Sequence, residues 1–197
     1  WAVINRKKEY FLMKRVRFCV LASGALAFFL FSSGAFAQQL FDSWINHKVP
    51  SRPACVTSAD IDLDGDLDLV TCHAQVDATG QNPVVIIKND GAGFFRSDTT
   101  LHTQGGPTQV VVRDLDLDGD MDILTVNTGA NRIAIFKNRG GTLGFELPFE
   151  CFVGSAPTSV AAELLDGDAT PDIITANSKP DGTASIQINH GAASFPA

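Results

Sequence analysis

Short β-branched runs separated by Gly, Asn and Asp turn signals, repeated three times at a period of about fifty residues, predict an all-β chain. No segment holds a sustained helical period, so strands are the only regular elements expected. Four short strands per fifty residues match one blade of a β-propeller. The predicted fold class is therefore a β-propeller of four-stranded blades with about three blades present, an incomplete ring, because closure takes roughly four to eight.

Taken in order, the chain opens with residues 1–12, read as upstream of the initiator Met13. Lys14, Arg15 and Arg17 then lead into the apolar stretch Phe18 to Phe31, followed by Ser32, Ser33, Gly34 and Ala35-Phe36-Ala37. Basic region, apolar region and small-x-small site stand in the order of a secretory signal peptide over 13–37, with Gln38 as the expected mature start. The apolar run is short for a bilayer span. Phe41 to Val49 reads as an orphan outer strand, of the kind that completes the last blade of a closed ring. The repeats fill the remainder of 38–197, in units of about 50–98, 104–150 and 154–197. Strands are expected near 55–59, 67–73, 83–88 and 94–98 in the first unit, with equivalents in the other two. An Asn-x-Gly turn recurs at Asn89, Asn138 and Asn189.

The chemistry is concentrated between the first two strands of each unit. Asp60-Ile61-Asp62-Leu63-Asp64-Gly65-Asp66-Leu67-Asp68 is repeated as Asp114-Leu115-Asp116-Leu117-Asp118-Gly119-Asp120-Met121-Asp122. Carboxylates at positions 1, 3, 5 and 9 with glycine at 6 suit a loop wrapped around a hard cation, and calcium takes six to eight oxygen ligands in a flexible shell. Position 7, Asp66 or Asp120, is expected to offer its backbone carbonyl. Two such carboxylates about 5 Å apart repel by roughly 3 kcal/mol at an effective dielectric near 20, which a cation would remove. An EF-hand is excluded, because position 12 is Thr71 or Thr125 and no helices flank the loop. The third loop departs from the pattern, with Leu164 at position 1 and Ala169 at position 6. Asp166, Asp168 and Asp172 keep positions 3, 5 and 9, and Glu163 lies one residue early, so a weak or empty third site is expected.

DIDLDGDLD and DLDLDGDMD, with Asn127, Asn177 and the Asn-x-Gly turns, resemble the FG-GAP or VCBS-type repeats of integrin α-subunit propellers and of bacterial secreted proteins. The resemblance covers 41–197. It implies calcium loops on one face of a propeller and recognition of a partner by loops on the other, and it names no partner.

Composition narrows the partners. Without residues 1–37 the chain holds nine Lys and Arg against twenty-one Asp and Glu. Such a surface repels nucleic acid and anionic lipid. Its clustering in short loops points instead to divalent cations. Of the four cysteines, Cys19 lies in the leader, and at most one bridge can form among Cys55, Cys72 and Cys151. Cys55 and Cys72 flank the first acidic loop, either as a disulfide or as two buried thiols. His47, His73, His102 and His190 fall at dissimilar repeat positions and read as ordinary turn or strand residues. No Ser-His-Asp set or phosphate-cradling glycine loop occurs, so no enzymatic activity is expected.

The expected function is a secreted, calcium-stabilised module for adhesion or for binding an extracellular protein or glycan. Its recognition loops would be 74–82, 128–131 and 178–182, with the inter-blade connections near 103–107 and 151–157. An alternative makes it the non-catalytic propeller part of a secreted polysaccharide-active enzyme; were the chain itself the enzyme, Asp77, Glu146, Glu150 and Asp181 would be the only scattered acidic candidates. A third reading is a stalk or spacer.

Overall fold

Each unit folds into an antiparallel sheet whose strands follow chain order. The structure is a computed structural model and describes residues 46–141, 144–180 and 182–195, all within the unit Ile45–Ala197. The first sheet is β1 (Pro53–Ala59), β2 (Asp68–His73), β3 (Asn82–Asn89) and β4 (Phe95–Thr103). The second is β5 (Pro107–Arg113), β6 (Asp122–Asn127), β7 (Arg132–Phe136) and β8 (Phe149–Phe152). The third is β9 (Pro157–Glu163), β10 (Asp172–Asn177) and β11 (Thr183–Gln187). No α-helix occurs among the described residues, and a single 3-10 turn spans Thr128–Ala130. The three sheets are blades that do not close a ring.

Two apolar clusters fill the spaces between blades. Val70, Cys72, Val84 and Ile86 of the first sheet meet Val110, Ile123, Ala134 and Phe136 of the second. From the opposite face of the second sheet, Leu124, Val126, Ile133 and Ile135 meet Val160, Ala162 and Ile173 of the third. Strands β6 and β7 are thus covered on both faces, which is why their sequences run apolar instead of alternating. A fully buried Val, Leu, Ile or Phe contributes about 1.5–3 kcal/mol, so these two layers hold the blades together. The first strands stack on one another, β5 against β1 and β9 against β5.

Polar cross-links reinforce the ends remote from the acidic loops. Asn127 Nδ2 donates to Thr103 Oγ1 of the preceding blade at 2.7 Å, and Thr128 Oγ1 donates to the Pro157 carbonyl of the following one at 2.7 Å. The Gln109 side chain pairs with the Val160 backbone, its Oε1 accepting the amide at 2.8 Å.

Two expectations about strands are modified. The orphan strand over 41–49 is absent from its described part, since residues 46–50 carry no strand and 41–45 lie outside the described residues. Pro50 lacks an N–H for a ladder, and His47 is engaged through its ring with Ser97 Oγ at 3.0 Å. The third sheet has three strands: Phe195 stands where Phe95 opens β4, and it is the last described residue. The signal peptide expected over 13–37 and the upstream segment 1–12 also lie outside the described residues.

Candidate metal centre

The three acidic loops occupy the same place in their blades. The residue pair closing each loop is Ala59 opposite Asp68, Arg113 opposite Asp122 and Glu163 opposite Asp172. Position 1 is therefore Asp60, Asp114 and Leu164, as the sequence alignment expects, and position 9 is the first residue of β2, β6 and β10.

Position 9 is the structural hinge of the loop. Asp122 is fully buried; its Oδ2 accepts the Leu115 amide at 2.9 Å and its Oδ1 the Asn138 amide at 2.8 Å. Asp68 does the same with Ile61 at 3.2 Å and Asn89 at 2.8 Å, and Asp172 with Leu165 at 2.9 Å and Asn189 at 2.8 Å. One carboxylate thus ties the start of its loop to the Asn-x-Gly turn across the sheet, in all three blades. Burial pushes the Asp122 carboxyl up to about 6 against the pull of these two bonds, and the charges of Asp116 and Asp118 push it further. Burial likewise raises Asp68 and Asp116, with neighbouring loop carboxylates adding to the shift.

The first two loops share a backbone path that the third does not. Leu63 and Gly65 have φ of 61° and 93°, and Leu117 and Gly119 have φ of 60° and 96°. A leucine in this region is strained by roughly 1–2 kcal/mol, and hydrogen bonds inside the loop offset it. Asp60 accepts the Asp64 and Gly65 amides at 3.1 and 3.0 Å, and Asp64 accepts the Asp66 amide at 2.9 Å. In the second loop Asp114 accepts the Gly119 amide at 3.0 Å and Asp118 the Asp120 amide at 3.0 Å. The third loop has its left-handed residue at position 4, Gly167, with φ of 88°, and Ala169 stays out of that region. Asp166 there accepts the Asp168 amide at 3.2 Å, and Asp168 accepts both the amide and the hydroxyl of Thr170 at 2.8 Å.

Carboxylates converge in the first two loops. Asp60, Asp62 and Asp68 each place an oxygen within 4.8 Å of the others, as do Asp114, Asp116 and Asp118. Asp166, Asp168 and Asp172 do not form such a group among the described residues. Asp114 and Asp116 each bury one Oδ1 that has no hydrogen-bond partner. Unpartnered buried carboxylate oxygens are costly, so this donor set fits a hard divalent cation. Asp66 and Asp120, at position 7, turn their carboxylates toward the neighbouring Asn-x-Gly turn, where a Cβ at Gly91 or Gly140 would collide with them.

Sequence reasoning missed the basic groups around these loops. Lys88 Nζ lies 3.3 Å from Asp62 and 3.4 Å from Asp98, and Lys137 Nζ lies 3.8 Å from Asp116. Arg139 stands 3.5 Å from Asp116, 3.8 Å from Asp118 and 2.8 Å from Glu146. Lys88 and Lys137 precede the turn asparagines at equivalent positions, a Lys-Asn signal that was legible; the third unit has Ile188 there. Also missed was the link between blades. Asn138 Nδ2 donates to the Ile61 carbonyl of the preceding loop at 3.3 Å, and Asn189 Nδ2 to the Leu115 carbonyl at 2.7 Å.

Of the remaining acidic candidates, the described ones have partners of their own. Asp77 accepts from Thr79 and lies 2.8 Å from His102 Nε2, which holds its carboxyl down at about 2, with the Thr79 hydroxyl the largest cause. Glu150 pairs with Arg132 at 2.5 Å, and Asp181 lies outside the described residues. Cys55 and Cys72 form a disulfide between directly paired residues, while Cys151 is a buried free thiol raised by burial to about 11.

Consecutive antiparallel blades, each folded around an acidic loop after its first strand, define a repeat protein of the β-propeller kind. The FG-GAP-like repeat family matches residues 60–125 and again 114–175. The chain belongs to that family. No curated protein matches it.

Proposed function

We propose that this chain is a secreted FG-GAP-type module in which calcium, bound by the first two acidic loops, stabilises the blades, and loops at the opposite end receive an extracellular protein or glycan. The observation that carries the reading is the pair of buried, unpartnered oxygens on Asp114 and Asp116 within a three-carboxylate group. Calcium would be held by Asp60, Asp62, Asp64 and Asp68 in one blade and by Asp114, Asp116, Asp118 and Asp122 in the next, with the position-7 backbone completing the shell. The ion would relieve carboxylate repulsion. It takes no part in chemistry. Loops 74–82, 128–131 and 178–182 are proposed for recognition because, in chain order, each joins the second strand of its sheet to the third, whereas the acidic loops join the first to the second. Among the described residues no helix is long and apolar enough to cross a membrane.

Titration calorimetry on the full chain tests this. Two sites are expected, in the range of about 10⁻⁴ to 10⁻³ M common to extracellular modules. Asp114→Ala should lose one site. Saturation at about a hundred times the dissociation constant stabilises by about 2.7 kcal/mol per site, so chelation should lower the melting temperature. No heat at millimolar calcium, together with a melt unchanged by chelator, overturns the reading.

A further inference from the structure

We propose, on the basis of the calcium reading above, that Lys137 and Arg139 are resident counter-charges of the second acidic loop, and that by standing against the outer oxygen of Asp116 they hold down the loop's affinity for the cation. The Asp116 side chain is only 5% exposed, and its two oxygens face different surroundings. Oδ1 is buried without a hydrogen-bond partner, and Asp116 is one of the three residues whose carboxylates gather within 4.8 Å. Oδ2 lies 3.8 Å from Lys137 Nζ and 3.5 Å from Arg139 Nη1. The Lys137 side chain is 17% exposed, and its ammonium also donates to the Ala192 carbonyl of the third blade's turn, so it is held beside the loop instead of sampling solvent. Arg139 reaches Asp118 as well, at 3.8 Å.

Comparison across the repeats ties the lysine to the gathered carboxylates. The first loop brings Asp60, Asp62 and Asp68 together, and Lys88 stands 3.3 Å from Asp62. The third loop gathers no such group among the described residues, and Ile188 occupies the lysine's place. The place of Arg139 is taken by Asp90 in the first unit and by His190 in the third, so the second loop alone has an arginine beside its lysine. Lys88 is also shared with Asp98 at 3.4 Å and is 37% exposed, which makes it the more screened of the two lysines. A cation at the inner oxygen of a carboxylate is repelled by an ammonium at the outer one. For a dication and a unit charge about 6 Å apart, even water-like screening leaves about a tenfold effect on binding. Any help the lysine gives in orienting Asp116 works the other way, but burial of that side chain fixes its orientation by packing, so repulsion decides the sign. In the ion-free chain the same two basic groups offset carboxylate repulsion. The pair therefore stabilises the empty loop and opposes the filled one.

Titration calorimetry and thermal melting of the full chain, with calcium as the probe, test this. Lys137→Met should tighten one of the two sites by about tenfold, lower the melting temperature in chelator and enlarge the rise that calcium produces. Lys88→Met, at the more exposed pair, should tighten the other site by about threefold or less. Lys137→Arg keeps the charge and should bind as the native chain does. The gain should shrink in about 1 M salt, where the Debye length is about 3 Å. Combined with Asp114→Ala, which leaves the first site only, Lys137→Met should move nothing. Arg132→Gln removes a charge at the far end of β7 and should leave both sites unchanged. Tighter binding cannot come from a damaged fold; should circular dichroism show Lys137→Met unfolded, Arg139→Gln replaces it against the same oxygen. If the native chain binds calcium at two sites and Lys137→Met leaves both unchanged, weakens one, or gives a gain that high salt does not reduce, the counter-charge role is overturned and the calcium reading stands. If the native chain binds no calcium and its melt ignores chelator, both fall.

Discussion

Replacing Asp122 by alanine isolates what the position-9 carboxylate does for the fold. The side chain is fully buried and satisfies two backbone amides, those of Leu115 and Asn138, both on buried residues. Each buried donor left without an acceptor costs about 1–3 kcal/mol, so Asp122→Ala should destabilise by about 2–6 kcal/mol in chelator, with no cation present. Asp172→Ala breaks the equivalent pair, but Leu165 is exposed and its amide can turn to water, so about half that loss is expected. Asp122→Asn keeps one acceptor and opposes the other amide with a donor, and should fall between alanine and the native residue. Denaturant unfolding of the four proteins, with chelator throughout, gives the comparison. A loss below about 1 kcal/mol for Asp122→Ala, or an equal loss for the two alanine variants, would refute the argument that this carboxylate is a structural staple graded by burial.

Two further outcomes follow from the geometry. The Asp77 carboxyl is held at about 2 against an ordinary 3.8, so its folded pKa is depressed; its stabilisation is present above pH 3.8 and is lost as pH falls through about 2. The melting-temperature difference between native chain and Asp77→Asn should accordingly shrink to nothing across that window, and a constant difference would contradict it. The disulfide of Cys55 and Cys72 closes a stretch of 17 residues around the first acidic loop, and on chain entropy alone the double alanine variant should lose about 3 kcal/mol, read by denaturant unfolding without reductant.

Strands and loops were legible because period-2 burial and turn chemistry are local. The runs at 83–88 and 132–136 are nearly continuous apolar stretches, and both strands are buried along almost their whole length. The acidic loops were legible as loops for the same reason, and closure of each by the same residue pair carries the alignment through the third unit. What spacing could not reveal was division of labour within the nine positions. An aspartate at position 9 reads as a ligand alone, yet both of its oxygens also accept backbone amides in every blade, so it staples the loop whether or not it holds a cation. Nor could spacing show that the third loop bends at Gly167 instead of at Ala169, because a glycine at position 4 supplies the left-handed residue that leucine occupies under strain in the other two. Spacing places Lys88 and Lys137 before their turn asparagines, and only the fold brings the end of the third strand beside position 3. The choice between a disulfide and two thiols at Cys55 and Cys72 depended on the register, which pairs them directly.

The third loop separates the requirements of the fold from those of a cation. It lacks the first carboxylate, takes a different backbone path and gathers no three-carboxylate group, yet its Asp172 bridges Leu165 to Asn189 as in the intact loops, and Asn189 still reaches the blade before it. The staple and the inter-blade asparagine are therefore kept where the cation pattern is lost, alongside the apolar layer that stacks the blades. Under the proposed reading the cation is added to a loop whose ends are already fixed, so the strain at Leu63 and Leu117 and the unpartnered oxygens of Asp114 and Asp116 belong to ion binding and not to folding. A chelated chain should then keep its sheets while losing stability.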